Sequence, residues 1–429
     1  MGRRTFRTVM LATALILLAT TWAVAAEINM TMYYPIAVGG KPYELINGLI
    51  QDFEGQNPDI KVKAVYYGNY DDTRTKCLAA LRAGENIQLS VLFSIDIFDL
   101  LDEDVILPWE DVVKTEEDRA WLKSFYPALM ANSMAGGKTY GIPFQRSTIV
   151  MYYNKDAFRE VGLDPDKPPA TWDELVSMGQ KLVKRDAAGQ VTRWGLSIPS
   201  TGYPYWMFQC LAIENGLELM NAAGNEVYFN RPESVEALQF WHDMAYKHGI
   251  MPKGSTDWGT LRQQFLGGST AMMWHTTGNL TPVRDNATFD FGVAMLPAYK
   301  RRGSPTGGGN FYIFKKTSAA EREAVLKFVK HMTEAVNTAK WSIGTGYVAT
   351  RPQAYETDLL KAYVAEFPAA IVARDQFEYA VAEFSTHETA RVKKFLDDAI
   401  QAVLTGGATP QEALDKAQQG ADRILSRYR

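Results

Sequence analysis

The residues best placed to do chemistry are polar and aromatic groups set at turns. Tyr140–Phe158 reads YGIPFQRSTIVMYYNKDAF. It joins a Gly141-Ile142-Pro143 turn to the polar run Gln145, Arg146, Ser147 and Thr148, and then enters an apolar β-rich run at Ile149–Tyr153. Further along, Tyr203, Tyr205 and Trp206 cluster after Gly202, and Trp274 ends a strand-like run before His275-Thr276-Thr277-Gly278-Asn279. Gly307-Gly308-Gly309 precedes another strand, and Tyr347 follows Gly344-Thr345-Gly346. Aromatic faces take the apolar faces of polyols and sugars, while hydroxyls and glycine backbone N–H groups take their oxygens. Strand ends of open α/β sheets are where such ligands bind. The pattern points to a binding cleft.

Catalytic signatures are missing by comparison. The chain has no G-x-S-x-G elbow, H-E-x-x-H helix, C-x-x-C pair or EF-hand loop. Gly137-Lys138-Thr139 looks like the end of a phosphate loop, but Asn132 stands where its first glycine belongs, so a β-turn is expected there. His242 and His248 are six apart, which on a helix sets them on different faces. They are expected at the surface, without a metal. Asp96 and Glu214 cannot be paired from sequence, which leaves a secreted phosphatase or glycosidase without the nucleophile, metal cluster or carboxylate pair it needs.

At 429 residues the chain exceeds the usual size of one hydrophobic core, so two domains are expected. Its 46% apolar and 22% charged content is that of a globular protein. The net charge is −4, and loss of the three arginines Arg3, Arg4 and Arg7 takes it to −7. That acidity disfavours nucleic acid as a partner. Residues 1–26 read as an export signal: those arginines, an apolar run at Val9–Ala19, and Ala23-Val24-Ala25-Ala26 as the cleavage site. Arg3-Arg4 also leaves twin-arginine export open beside the general route. A periplasmic location is expected. Cys77 and Cys210 are the two cysteines, read as buried or half-buried free thiols.

Several elements must position the cleft. Ile28–Tyr34 alternates as a strand, and a helical pattern runs through Leu45, Ile46, Leu49, Ile50 and Phe53. A strand at Lys61–Tyr67, a helix over Asp72–Ala83 and a buried strand at Leu89–Phe93 follow. This β-α-β-α-β order predicts a parallel sheet covered by helices. Later signals are Thr171 capping a helix to about Lys184, Pro232 opening another, and strands at Thr270–Trp274, Phe289–Leu296 and Asn310–Phe314. Ser318 and Thr409 begin capping boxes.

The chain resembles the extracellular solute-binding proteins of ABC importers, nearest the glycerol-3-phosphate-binding branch of the maltose-binding group. The landmarks, in shared order, are Phe53–Pro58, Tyr67-Gly68-Asn69-Tyr70, Tyr140–Phe158, Phe265–Met273, Gly307–Gly309, Gly344–Tyr347 and Thr409–Leu414. The resemblance implies an α/β fold of two lobes with an inter-lobe ligand cleft and several hinge crossings. It puts residues 27–143 and 292–342 in one lobe, 144–291 and 343–429 in the other, and crossings near Pro143–Ser147, Phe291–Ala294 and Ile343–Tyr347. It further implies a monomer without cofactor that hands its ligand to permease subunits driven by a cytoplasmic ATPase.

Carried over residue by residue, the resemblance assigns ligand contacts to Tyr70, Ser147, Thr277, Gly308 and Tyr347. It assigns the phosphate-neutralising cation to Arg391 or Lys393. Ser94 stands where the branch has an acidic residue, with Asp96 two positions on, and Arg146 stands where a small polar residue is usual. Tyr33-Tyr34-Pro35 replaces an early tryptophan. Tyr205, Trp206 and Trp274 complete the candidate set. The implied ligand is sn-glycerol 3-phosphate or a related glycerophosphodiester. The aromatic content leaves a neutral sugar, oligosaccharide or polyol as the alternative.

Overall fold

Twelve strands carry the fold of the computed structural model, which describes residues 27–36 and 41–429. The expected export signal lies outside those residues. The strands are β1 (Ile28–Tyr34), β2 (Ile60–Tyr66), β3 (Leu89–Phe93), β4 (Met134–Ala135), β5 (Lys138–Thr139) and β6 (Gly141–Asn154). They continue as β7 (Lys184–Arg185), β8 (Val191–Ser197), β9 (Thr270–Thr276), β10 (Phe291–Ala294), β11 (Ser304–Ile313) and β12 (Ala380–Val381).

The main sheet runs in the order β2-β1-β3-β11-β6-β9-β8-β7, with β10 on β6 and β12 on β11. Toward its two ends the pairing is parallel, β1 with β2 and β3 as the β-α-β order predicts and β8 with β9, except that the edge strand β7 lies antiparallel to β8. Its middle differs. There β11 lies antiparallel to both β3 and β6, and β6 lies antiparallel to β9. The two long strands tie the parallel ends together.

β6 is buried at all 14 positions because it serves more than one core. Ile142 and Phe144 pack with Met30, Phe53, Phe311 and Trp341 in the first core. Ile149, Met151 and Tyr153 pack with Leu175, Trp241 and Leu396 in the second. Val150 and Tyr152 point from the opposite face, as strand alternation requires, and meet Leu261, Phe265 and Val283. Gln145–Thr148 is the polar interval between those apolar stretches.

The segments expected at the other crossings have definite places in the fold. Phe291–Ala294 pairs with Met151–Asn154, and Leu296 beyond it packs in the second core. The chain reaches the first core along β11, where Phe311 and Ile313 pack. Ile343–Thr345 is the last turn of the helix Ala335–Thr345, capped by Gly346 at φ +88°. The three glycines lie inside β11, which starts at Ser304, six residues before the expected strand. Gly137-Lys138-Thr139 closes the β4–β5 hairpin, with Gly136 and Gly137 at positive φ. His242 stacks on Tyr246 at the surface end of its helix. Cys77 and Cys210 are both buried and free.

Candidate functional site

A cleft of about 310 Å³ opens above the polar interval of β6. Ser147 and Gly308 form its floor, on neighbouring strands β6 and β11. Tyr70 and Tyr347 line it, as do Trp206, Tyr203 and Phe93. The rest of the wall is Trp258, Gly259 and Arg262 from the helix Trp258–Leu266, with His275 and Thr276 from the end of β9.

Local sequence explains how each group is aimed. Asn69 caps the helix Tyr70–Arg82 in a reciprocal box with Asp72, which fixes Tyr70 at the first helical position. The Tyr70 hydroxyl donates to Gln145 Oε1 at 3.0 Å, Gln145 Nε2 donates to the Pro35 carbonyl, and the Tyr70 ring stacks on Phe93 at 4.6 Å. Burial pushes the phenol well above its ordinary pKa, so it stays a neutral hydrogen-bonding group. Tyr347 follows the left-handed Gly346, where a Cβ would lie 2.5 Å from the Thr277 carbonyl oxygen. Its own phenol is pushed up to about 12 by burial.

Each glycine of the triple has its own steric reason. A Cβ on Gly307 would strike Trp206 Cζ2 at 2.2 Å, and one on Gly309 would meet Tyr70 Cε1 at 2.8 Å. Gly308 has φ +98° and would place a Cβ 1.8 Å from the Gln145 carbonyl oxygen. The run lets two aromatic walls and a neighbouring strand approach the floor together. Trp206 Nε1 then donates to the Thr306 carbonyl at 3.1 Å, and its ring lies 5.9 Å from that of Trp258.

Arg262 is the charged side chain among the described lining residues. Its Nη1 donates to Asn279 Oδ1 at 3.1 Å. Burial holds the His275 imidazole down to about 4, hence neutral. The wall therefore offers one cation, several neutral donors and aromatic faces, and no carboxylate.

The structure brings Tyr70, Ser147, Trp206, Gly308 and Tyr347 to one cleft and sets the other candidates elsewhere. Ser94 is buried, its carbonyl accepting from the Tyr312 hydroxyl. Asp96 is buried 3.6 Å from Arg74, and burial pushes its carboxyl up to about 7. Tyr205 donates to Glu383 Oε1 at 2.7 Å, away from the cleft. Trp274 packs in the second core, while His275 and Thr276 beyond it reach the wall. Thr277 Oγ1 accepts from the Thr148 N–H at 3.2 Å.

The three cations proposed from sequence have distinct fates. Arg146 is fully buried behind the floor, donating to Asn310 Oδ1 at 3.2 Å and Thr306 Oγ1 at 3.0 Å. Arg391 is exposed, pairs with Glu388 at 3.0 Å, and borders a separate depression with Arg74 and Asp102. Lys393 holds its Nζ 5.7 Å over the Tyr203 ring and 5.1 Å over that of Tyr205. Sequence reasoning missed Arg262 and Trp258. Their available signal was Asp257, which caps the helix and fixes where its first turn begins.

Among the described residues, no helix is long and apolar enough to cross a membrane. The family model of bacterial extracellular solute-binding proteins matches residues 48–369. The sn-glycerol-3-phosphate-binding periplasmic protein UgpB of Pectobacterium atrosepticum is 28% identical over 398 residues, 89% of this chain and 88% of that protein. That of Salmonella typhi is 28% identical over 397 residues, covering 89% and 90%. UgpB from Mycobacterium tuberculosis, solved in complex with glycerophosphocholine, superposes with a TM-score of 0.81 at 24% identity, covering 94% of this chain and 99% of that one. The maltose/maltodextrin-binding domain MalE from Bdellovibrio bacteriovorus, bound to maltotriose, gives 0.77 at 22%, covering 93% and 100%. These structures share the two-lobed α/β fold. By the match over most of its length, the chain belongs to the bacterial extracellular solute-binding proteins.

Proposed function

We propose that the protein captures sn-glycerol 3-phosphate or a related glycerophosphodiester in the periplasm and delivers it to the permease of an ABC importer. The observation that carries this reading is the cleft wall, which joins one guanidinium to hydroxyls and aromatic rings. A phosphate ester needs a cation if it is to leave water. The names of the glycerol-3-phosphate-binding relatives point the same way.

Binding would proceed by closure. Tyr70 begins the helix between β2 and β3, toward one end of the sheet, whereas Trp206 comes from the helix after β8 and Trp258 and Arg262 from the helix before β9, toward the other. A ligand touching both sides favours the closed form by its extra contacts, and no bond need break. In this reading β6 and β11 link the two lobes, the protein works as a monomer without cofactor, and residues 1–26 are removed on export. The closed form then docks on permease subunits driven by a cytoplasmic ATPase.

A neutral sugar is the second reading, favoured by the aromatic walls. The cleft volume of about 310 Å³ weighs against a long oligosaccharide, since it sits at the small end of ordinary ligand pockets. A thermal-shift panel separates the two. Glycerol 3-phosphate and its diesters should raise Tm, because a ligand at a hundred times its Kd adds about 2.7 kcal/mol. A shift with maltose or maltotriose, and none with any phosphate ester, would overturn the proposal.

A further inference from the structure

We infer that Arg146 determines the charge the cleft prefers. Lodged beneath the floor and out of the ligand's reach, its guanidinium favours a doubly charged ligand over a singly charged one of the same shape. This rests on the phosphate-ester reading above and deepens it.

Position is the first argument. Arg146 and Ser147 are consecutive in β6, so their side chains leave opposite faces of the strand. Ser147 lines the cleft, and Arg146 is buried beneath it. The register partner of Arg146 is Gly308, the other floor residue. The strand layer of β6 and β11 therefore stands between the guanidinium and the ligand.

Two hydrogen bonds hold the group there. Nη2 donates to Thr306 Oγ1 at 3.0 Å and Nη1 to Asn310 Oδ1 at 3.2 Å. Those two residues bracket Gly307-Gly308-Gly309, and the fork spans the irregularity of β11 between Gly309 and Asn310. One side chain thus clamps the glycine run from behind and fixes its own charge below it.

Charge balance is the second argument. Both acceptors are neutral, and Nε has no partner among the described residues. The other buried arginine among those residues, Arg193, pairs with Glu160 at 2.5 Å. Burial pulls the Arg146 guanidinium below the usual arginine range, and the Glu383 carboxylate only partly offsets that. Glu383 is a weak counter-charge, because burial pushes its own carboxyl up to about 8. An arginine cannot shed its proton to escape, and a buried cation short of counter-charge is costly. An anion in the cleft supplies what the fold withholds. Across a poorly polarisable layer that attraction needs no contact, and salt screens it little.

The two cations then read different things. Arg262, in the wall, can bond a ligand oxygen directly. Arg146 responds only to the ligand's total charge.

Calorimetry on the mature protein at fixed neutral pH tests this with sn-glycerol 3-phosphate, glycerol 3-sulfate and maltose. The phosphate carries about −1.5 to −2 there, and the sulfate a single charge on the same tetrahedral shape. Arg146→Met should cost about tenfold in affinity per ligand charge, and so weaken the phosphate several-fold more than the sulfate. Arg146→Lys returns the charge without the fork and should recover most of that difference. Arg262→Gln leaves the floor untouched; it should weaken both esters yet keep the phosphate ahead. Equal losses of the two esters in Arg146→Met, unrelieved in Arg146→Lys, would mark structural damage alone and overturn the inference. Equal affinities for the two esters in Arg262→Gln would overturn it as well, whether or not the Arg146 variants fold. Binding of maltose and of neither ester by wild type would instead sink the phosphate-ester reading on which this stands.

Discussion

The Gly308 backbone and the Gln145 carbonyl meet so closely that a Cβ on Gly308 would lie 1.8 Å from that oxygen. Gly308 also has φ +98°, a region that side chains rarely adopt. Gly308→Ala should therefore strain the floor and push β11 from β6. We expect a loss of about 2–4 kcal/mol in denaturant unfolding, with ligand affinity reduced in whatever fraction remains folded.

Gly307 works differently. Its missing Cβ makes room for a side-chain atom, Trp206 Cζ2, at 2.2 Å. Gly307→Ala should rotate the indole out of the wall rather than break the sheet. Tryptophan fluorescence should shift and ligand affinity should fall at least about tenfold, with a smaller stability loss of about 1–3 kcal/mol for overpacking.

Tyr70 is held by one hydrogen bond to Gln145 and by its stack on Phe93. Tyr70→Phe keeps the stack and deletes the bond. Stability should fall by about 1 kcal/mol. Ligand affinity should fall as well, because Tyr70 lines the cleft.

Burial pushes the Glu383 carboxyl up from 4.5 to about 8, while Arg146 and Lys393 pull it down less strongly. Asp397 is likewise pushed up to about 7 by burial. The folded protein thus keeps protons that the unfolded chain gives up near pH 4 to 5. Stability must then fall as pH rises from that range through about 8, since the unfolded state binds fewer protons there. Glu383→Gln should flatten the fall, gaining on wild type between pH 5 and pH 8 by on the order of 3 kcal/mol. Parallel melting curves across that range check the slope.

The strands and helices were legible in sequence because their signals are local. The alternation at Ile28–Tyr34, the run Leu89–Phe93 and the Ser318 and Thr409 caps give elements that the structure reproduces. Tyr70, Ser147, Gly308 and Tyr347 reach one cleft because each sits at a turn or strand position with its own local signature. Trp274 packs in the second core and His275 beside it lines the cleft, a division that only the packing of β9 decides. Arg391 and Lys393 differ by about 200° around a helix, so a slip of two residues separates a solvent-facing arginine from a lysine packed on Tyr203 and Tyr205. Arg146 drew attention as a charge, but only packing shows that it lies behind the floor. Arg262 and Trp258 depend on how a helix docks against β9, and no local pattern encodes that.

The most direct test is a calorimetric titration of the signal-free protein with glycerophosphocholine. The account predicts saturable binding at one site per chain, micromolar or tighter, weakened at least about tenfold by Arg262→Gln. Absence of binding to glycerophosphocholine and to glycerol 3-phosphate, in protein shown to be folded, would contradict it.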